Sequence, residues 1–405
     1  MRELYDLRLR TEGMRLLIFP VTVYFCSVFV LAQPTIQAAA QNAPPGGKSV
    51  TANAAPFPPQ LELRVPFEPT AFPNGKHLYL AYEIHLTNYF PFPLSLRRIE
   101  VLDRAAQHGK PVAVIEGDQL EKILQPLSGE PSDPQKRLVI GGGQTTLAYM
   151  WIELDRGSRI PVSLVHRVSV DFGDVEGAVI ATRHTQLRVL GPPLEGADWI
   201  ADDGPSNDED NHHRRGVAIL DGRAVDSRRY AIDWMQVRDG ASYSGDARDV
   251  HSYYCYGEPV LAVADGRVVT ARDGLPENTP GHGDAFHPAI PITLDTIAGN
   301  TITLDIGGGQ FAYYLHLLPG SLRVKVGDRV RRGQVLARVG ASGDAREPHL
   351  HFEVTDSTKA LAGDGLPYLI DRYRQQTASR PSVLHIDELP LDHNIVTFGE
   401  NRSAQ

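Results

Sequence analysis

The sequence predicts an all-β protein of two domains, and three observations carry this. Apolar and polar residues alternate over runs such as "HLYLAYEIHLTN" and "HRVSVDF", the period of strands with one buried face. The 37 Gly and 30 Pro supply the turns that many short strands need. Several alternating runs also flank Asp-Gly dipeptides or a Gly triplet, the chemistry of hairpin turns. At 405 residues and 42% hydrophobic, the chain has the means for an ordinary core. Acidic residues outnumber basic ones, 49 to 40, for a formal net charge of −9. That balance argues against a general nucleic-acid binder.

Taken in order, residues 1–40 read as an export signal. Arg2, Arg8, Arg10 and Arg15 precede the apolar run "LLIFPVTVYFCSVFVLA" and an Ala-rich exit, with cleavage expected near Ala38 to Ala40. The run is also long enough to stay as a membrane anchor, the one membrane contact expected. Either way the expected location is secreted or periplasmic, in the cell envelope. Cys26 lies in this segment and Cys255 is the other cysteine, so no intrachain disulfide is expected in the mature chain. Residues 41–59 form a Pro/Ala/Gly linker. Residues 60–192 read as a β-sandwich of immunoglobulin-like size, with one short helix in "GDQLEKILQPL". His85 and His166 stand there without ligand partners and are read as structural or exposed. Residues 193–212, rich in Pro, Gly and Asp, are read as an inter-domain loop.

Residues 213–355 read as four hairpins in series. They turn at Asp221-Gly222, at Asp265-Gly266, at Gly307 to Gly309 and within "SLRVKVGDRVRRGQVLARVGASG". Residues 356–405 are a C-terminal extension. It begins with a short helical or extended segment, "GDGLPYLIDRYR", and continues as a loosely ordered tail. Cys255 is read as a small buried thiol, and His282 and His287 as residues of an exposed loop.

The chemistry begins at "EPHLHFEV". Side chains alternate across a strand, so His349 and His351 share a face. Two imidazoles side by side suit a metal with a proton-transfer group beside it.

"YGEPVLAVADGRVV", "YYLHL", "VKVGDRVRRGQVLARVGASG" and "PHLHFEV" occur in this order. Together they resemble the lysostaphin-type peptidoglycan endopeptidases, also called LytM-domain proteins. The resemblance implies an antiparallel β-sheet groove of the duplicated hybrid motif kind, with one Zn2+ at its floor. It implies His351 and Asp233 as metal ligands, and His349 and His316 as catalytic residues. It implies hydrolysis of peptide bonds in peptidoglycan. Such roles agree with the residue types. Catalytic zinc takes three protein ligands and keeps one position open. It acidifies water and polarises a carbonyl, and a neighbouring His moves the proton.

One departure stands out. The resemblance places a first ligand, a His, four residues before Asp233, where this chain has Arg229. Arginine stays protonated and cannot ligate. "NHHRRG" offers a replacement. With a three-residue loop, Asp221-Gly222-Arg223, His213 stands opposite Ala231 and so on the face of Asp233. With a two-residue loop, His212 does. His213 is favoured because it lies nearer the patterned strand. Arg229 also supports a different protein: a metal-free wall-binding or hydrolase-activating groove. A zinc peptidase acting on a non-wall peptide is the remaining alternative.

Overall fold

A run of twelve residues, His77–Asn88, organises the N-terminal half. It is buried over most of its length, so both faces of its alternation find partners. Leu80, Tyr82, Ile84 and Leu86 enter one hydrophobic core. Tyr79 and Ala81 enter another, and Glu83 follows on that second face. The computed structural model describes residues 58–106, 109–183, 185–377 and 380–399. The expected export signal and nearly all of the linker lie outside them.

Among the described residues the fold is nearly all β, as expected, with one α-helix at Asp118–Ile123. Two five-stranded sheets occupy the first half. One has the order Leu61–Arg64, His77–Asn88, Thr145–Asp155, Leu124–Pro126, with Phe72–Asn74 also paired to His77–Asn88. The other runs Gly173–Ala181, Ser163–Val170, Leu94–Asp103, Ala113–Glu116, with Val139–Ile140 at its side. Ile99, Val101, Leu164 and Val168 of the second sheet pack against the even-numbered residues of His77–Asn88. His166 is structural, with Nε2 2.7 Å from Tyr82 Oη.

An eleven-stranded sheet forms the second half. Its middle reads Gly196–Asp202, Ile232–Gln236, Leu350–Thr355, Phe311–Leu317, Asn300–Asp305, Gly266–Arg272, each antiparallel to the next. Its inner face carries Trp199, Trp234, Tyr314 and Phe352 into the core that Tyr79 and Ala81 share.

Several expectations are corrected. The stretch 193–212 is not simply a loop, because Gly196–Asp202 pairs on both sides within the large sheet. Its Trp199 and Ala201 are buried, an alternation that the neighbouring Pro and Asp residues obscured. The C-terminal extension is not loose. Leu369–Thr377, Arg380–Glu388 and Ile395–Phe398 are strands of the same sheet. Of the four hairpins, only Asp221-Gly222 and Gly307–Gly309 turn between paired strands. Pro259–Leu261 pairs with Val335–Arg338, and Gly266–Arg272 with Arg329–Val330. The second and fourth runs thus interlock with each other rather than folding back on themselves.

The two halves meet through buried charge. Arg229 and Arg214 both bind Glu83. Arg229 also reaches Asp364 at 3.2 Å. Asp226 sits against this cluster, fully buried, with neither carboxylate oxygen hydrogen-bonded among the described residues. Burial pushes its pKa up to about 7, with Arg229 opposing and Glu83 adding to the rise. The folded protein therefore holds a proton that the unfolded chain releases near pH 4. The contribution of Asp226 to stability falls as pH rises from about 4 to about 7 and stays reduced above that. Asp226→Asn is expected to raise the thermal midpoint by a few degrees at pH 8, with the gain vanishing near pH 4. An equal loss of stability at both pH values would contradict this.

Candidate metal centre

Asp233 and His351 are direct cross-strand partners, Asp233 on Ile232–Gln236 and His351 on Leu350–Thr355. Asp233 Oδ1 lies 2.8 Å from His351 Nδ1. The other oxygen, Oδ2, faces two more rings. His213 Nε2 and His349 Nε2 each stand 3.5 Å from it. His212 Nε2 is 4.0 Å away. His212, His213 and Asp233 each place a donor atom within 4.8 Å of the others. His316 completes the group, its ring centroid 4.8 Å from that of His349 and 5.9 Å from that of His351.

The hydrogen bonds on the far sides of these rings settle their tautomers. A carbonyl oxygen only accepts, so a ring nitrogen bonded to one must carry its hydrogen. His213 Nδ1 donates to the carbonyl of Asp203 at 2.9 Å. His349 Nδ1 donates to the carbonyl of Glu347 at 2.8 Å, and His316 Nδ1 to that of Ser342 at 2.8 Å. In the neutral form all three therefore present a bare Nε2. Burial holds the pKa of His213 and of His316 well below the usual histidine value. Both rings are thus neutral at physiological pH.

Asp233 and His351 behave differently. Burial alone would raise the Asp233 pKa, but positive charge on the imidazoles around it, when they are protonated, holds it well below the usual carboxylate range. Burial also opposes charge on His351, yet Asp233 and Glu353 outweigh it and raise its pKa to about 9. Glu353 is almost fully buried, with Oε2 3.4 Å from His351 Nε2. Glu353 went unnoticed in the sequence, although it follows His351 by two residues and so must share its face.

His316 reaches the site by a route that simple alternation does not give. Leu315 pairs with His351, and Tyr314 with Phe352. Regular alternation would send His316 with Tyr314, into the core. The backbone of His316 is left-handed, with φ 64°, and the ladder to Asn300–Asp305 shifts register beside it. The reversal swings the imidazole back toward His349. Such a φ is uncommon outside glycine and favours a site over a plain strand.

His213 also arrives by an unexpected path. The loop after Leu220 has two residues, since Leu220 pairs with Arg223. The three-residue register that favoured His213 is therefore wrong, and the ladder ends at Ala218 and Val225, short of either histidine. A tight turn delivers His213 instead. Asn211 Oδ1 accepts from Arg214 N at 2.7 Å, and Asn211 Nδ2 donates to the carbonyl of Gly204 at 2.7 Å. His213 is 2% exposed, whereas the His212 side chain is 54% exposed and pairs with Asp203 at 2.7 Å. Arg229 points elsewhere, held by Glu83, Asp364 and the carbonyl of Gly365.

A carboxylate with several imidazole nitrogens suits a borderline ion such as zinc. Asp233, His213 and His351 would hold it, and the backbone carbonyl bonded to His213 resembles the outer support usual for such ligands. A cleft of about 480 Å³ is lined by Tyr243, Arg248, Tyr253, His282, His287 and Glu347, the residue whose carbonyl accepts from His349. Cys255 takes no part. It is buried, with Sγ 3.0 Å from the carbonyl of Pro348, and burial pushes its thiol up to about 12.

Residues 250–362 match Peptidase family M23. The match covers this segment alone. His316, His349 and His351 lie within the match, while Asp233 and His213 precede it. Among curated relatives, the glycyl-glycine endopeptidase ALE-1 of Staphylococcus capitis is 32% identical over 128 residues, covering 31% of this chain and 29% of its own. The peptidoglycan DD-endopeptidase ShyB of Vibrio cholerae is 35% identical over 98 residues, 24% of this chain and 18% of its own. The chain thus spans less than a third of the length of either. The solved catalytic domain of lysostaphin from Staphylococcus simulans aligns with 42% of this chain and 88% of its own, at 21% identity and a TM-score of 0.23.

His213→Ala is expected to weaken zinc binding by the protein by at least about 100-fold, as for loss of a direct ligand. His212→Ala and Arg229→Ala should change it by only a few-fold. Competition with a chromogenic chelator reads all three. Loss through His212 with His213 silent would show that the exposed ring is the ligand.

Proposed function

We propose that this protein is a zinc metalloendopeptidase of the M23 type that hydrolyses peptide bonds in peptidoglycan and is exported to the cell envelope. The observation that carries this is the buried Asp233 carboxylate, with the bare Nε2 of His213 and His349 on one oxygen and His351 Nδ1 on the other. The family match and the wall-peptidase relatives support the substrate class.

When bound, zinc would lower the pKa of a water toward ~7 and polarise the scissile carbonyl. The protein's own groups do the rest. His349, with Nδ1 fixed on the carbonyl of Glu347, offers Nε2 to take the proton of the attacking water. It then returns that proton to the departing amine. His316 is neutral and its one N–H is already given to Ser342. Its Nε2 can therefore accept but not donate, which suits it to orient the attacking water rather than to stabilise an oxyanion. His351 would use Nδ1 toward the metal while Nε2–H faces Glu353.

Arg229 favours a second reading, a metal-free groove that binds wall or activates another hydrolase. The placement of His213 weighs against it, because an imidazole from another turn stands 3.5 Å from Asp233, where Arg229 offers none. A zinc peptidase for a non-wall peptide differs only in substrate.

Incubation of the zinc-loaded protein with purified peptidoglycan is expected to release soluble fragments with new amino groups. Chelation should abolish release and zinc should restore it. His349→Ala should keep about one zinc per molecule yet lose at least about 100-fold in rate, whereas His351→Ala should lose the metal. Cleavage of a Gly-rich protein with intact peptidoglycan would favour the non-wall substrate. Full zinc occupancy with neither substrate cut would reject the enzyme.

A further inference from the structure

His213 sits on a turn rather than on a strand, so something must hold that turn against the sheet that carries Asp233. The Asn211 bonds tighten the turn locally. The next residue, Arg214, ties it to the other half of the molecule. Its side chain is 1% exposed. NH1 binds Glu83 Oε1, NH2 donates to the carbonyls of Tyr82 at 3.0 Å and Met150 at 3.1 Å, and Nε donates to Asn207 Oδ1 at 3.2 Å. The guanidinium also lies over the Tyr149 ring, 4.9 Å from its centroid.

We propose that Glu83, on the N-terminal sheet, is a positioning residue for the metal centre, acting through Arg214 to set His213 against Asp233. This rests on the metal reading above and extends it to the role of the N-terminal half. Burying two guanidiniums around one carboxylate is a poor way to gain stability, because desolvation offsets most of the attraction. Its distinctive product is geometry: a planar fork fixed at four acceptors. The same carboxylate takes Arg229 through Nε at 3.1 Å and NH2 at 2.7 Å. Glu83 thus pairs with both the arginine at the position where the resemblance implies a ligand and the arginine beside His213. The N-terminal sheet thus supplies, through one carboxylate, the anchor of the Arg214 turn and the partner of Arg229.

Arg214→Met and Arg229→Met in the full chain each break one partner of Glu83, but only the first lies on the His213 turn. Two readouts apply: the zinc dissociation constant by chelator competition, and the 1H–15N signal of His213 Nδ1 in metal-free protein. Arg214→Met is expected to weaken zinc by about 10–100-fold and to turn the His213 Nδ1 proton, now donated to Asp203, into a rapidly exchanging one. Arg229→Met should lower the thermal midpoint comparably yet leave both readouts within a few-fold of the unmodified chain. Arg214→Lys keeps the charge opposite Glu83 and folds if Arg214→Met does not. Having lost the fork, it should fall between Arg214→Met and the unmodified chain. Equal effects of the changes at 214 and 229, or an unaltered His213 signal in both changes at 214, would overturn the proposal. An unmodified chain that binds no zinc would reject the metal reading, while the His213 signal would still decide whether Arg214 positions the ring.

Discussion

A buried carboxylate surrounded by imidazoles is the constraint on which the rest of this structure turns. Asp233 is 8% exposed, and without compensation it would be protonated or expelled. His351, His213 and His349 lie around it, and their rings in turn are tied to backbone carbonyls or to Glu353. Each of those ties fixes a loop or a strand end. The turn at 203–214, the "EPHLH" segment and the reversal at His316 are therefore parts of one electrostatic arrangement. A divalent cation at its centre would satisfy the carboxylate and the bare nitrogens together.

Much of this was legible in the sequence because strand chemistry is local. Alternation alone puts His349 and His351 on one face, and the ordered motifs pointed to Asp233 and His316. Where alternation fails, so does the reading. His316 lies on the wrong face by simple counting, and only its left-handed backbone brings it in. His213 was named for a hairpin register that does not exist. It is in place because Asn211 and Arg214 shape a turn whose partners lie far away in sequence, and no local pattern announces that. The strand at Gly196–Asp202 was hidden by its Pro- and Asp-rich surroundings, and those of the C-terminal extension by mixed composition. Pairing with distant strands, not propensity, makes both regular.

Glu83 shows the same limit from the other side. It sits in a run that reads as an ordinary half-buried strand, yet the strand is covered on both faces. A charged residue within such a strand must find opposite charge, and here it finds Arg214 and Arg229. The N-terminal half is thereby joined to the second half by ion pairs rather than by apolar packing alone. Arg229, which on sequence weakens the case for a metal, is turned away from Asp233 and held by Glu83 and Asp364.

The central claim is that Asp233, His213 and His351 hold a zinc ion. Anomalous diffraction at the zinc edge, from crystals of the full chain grown with zinc, tests it most directly. The account predicts one ion within about 2.0–2.2 Å of an Asp233 oxygen and of one nitrogen each from His213 and His351, with Arg229 still on Glu83. A zinc-replete crystal with no anomalous peak beside Asp233, or with an ion that His213 does not touch, would contradict it.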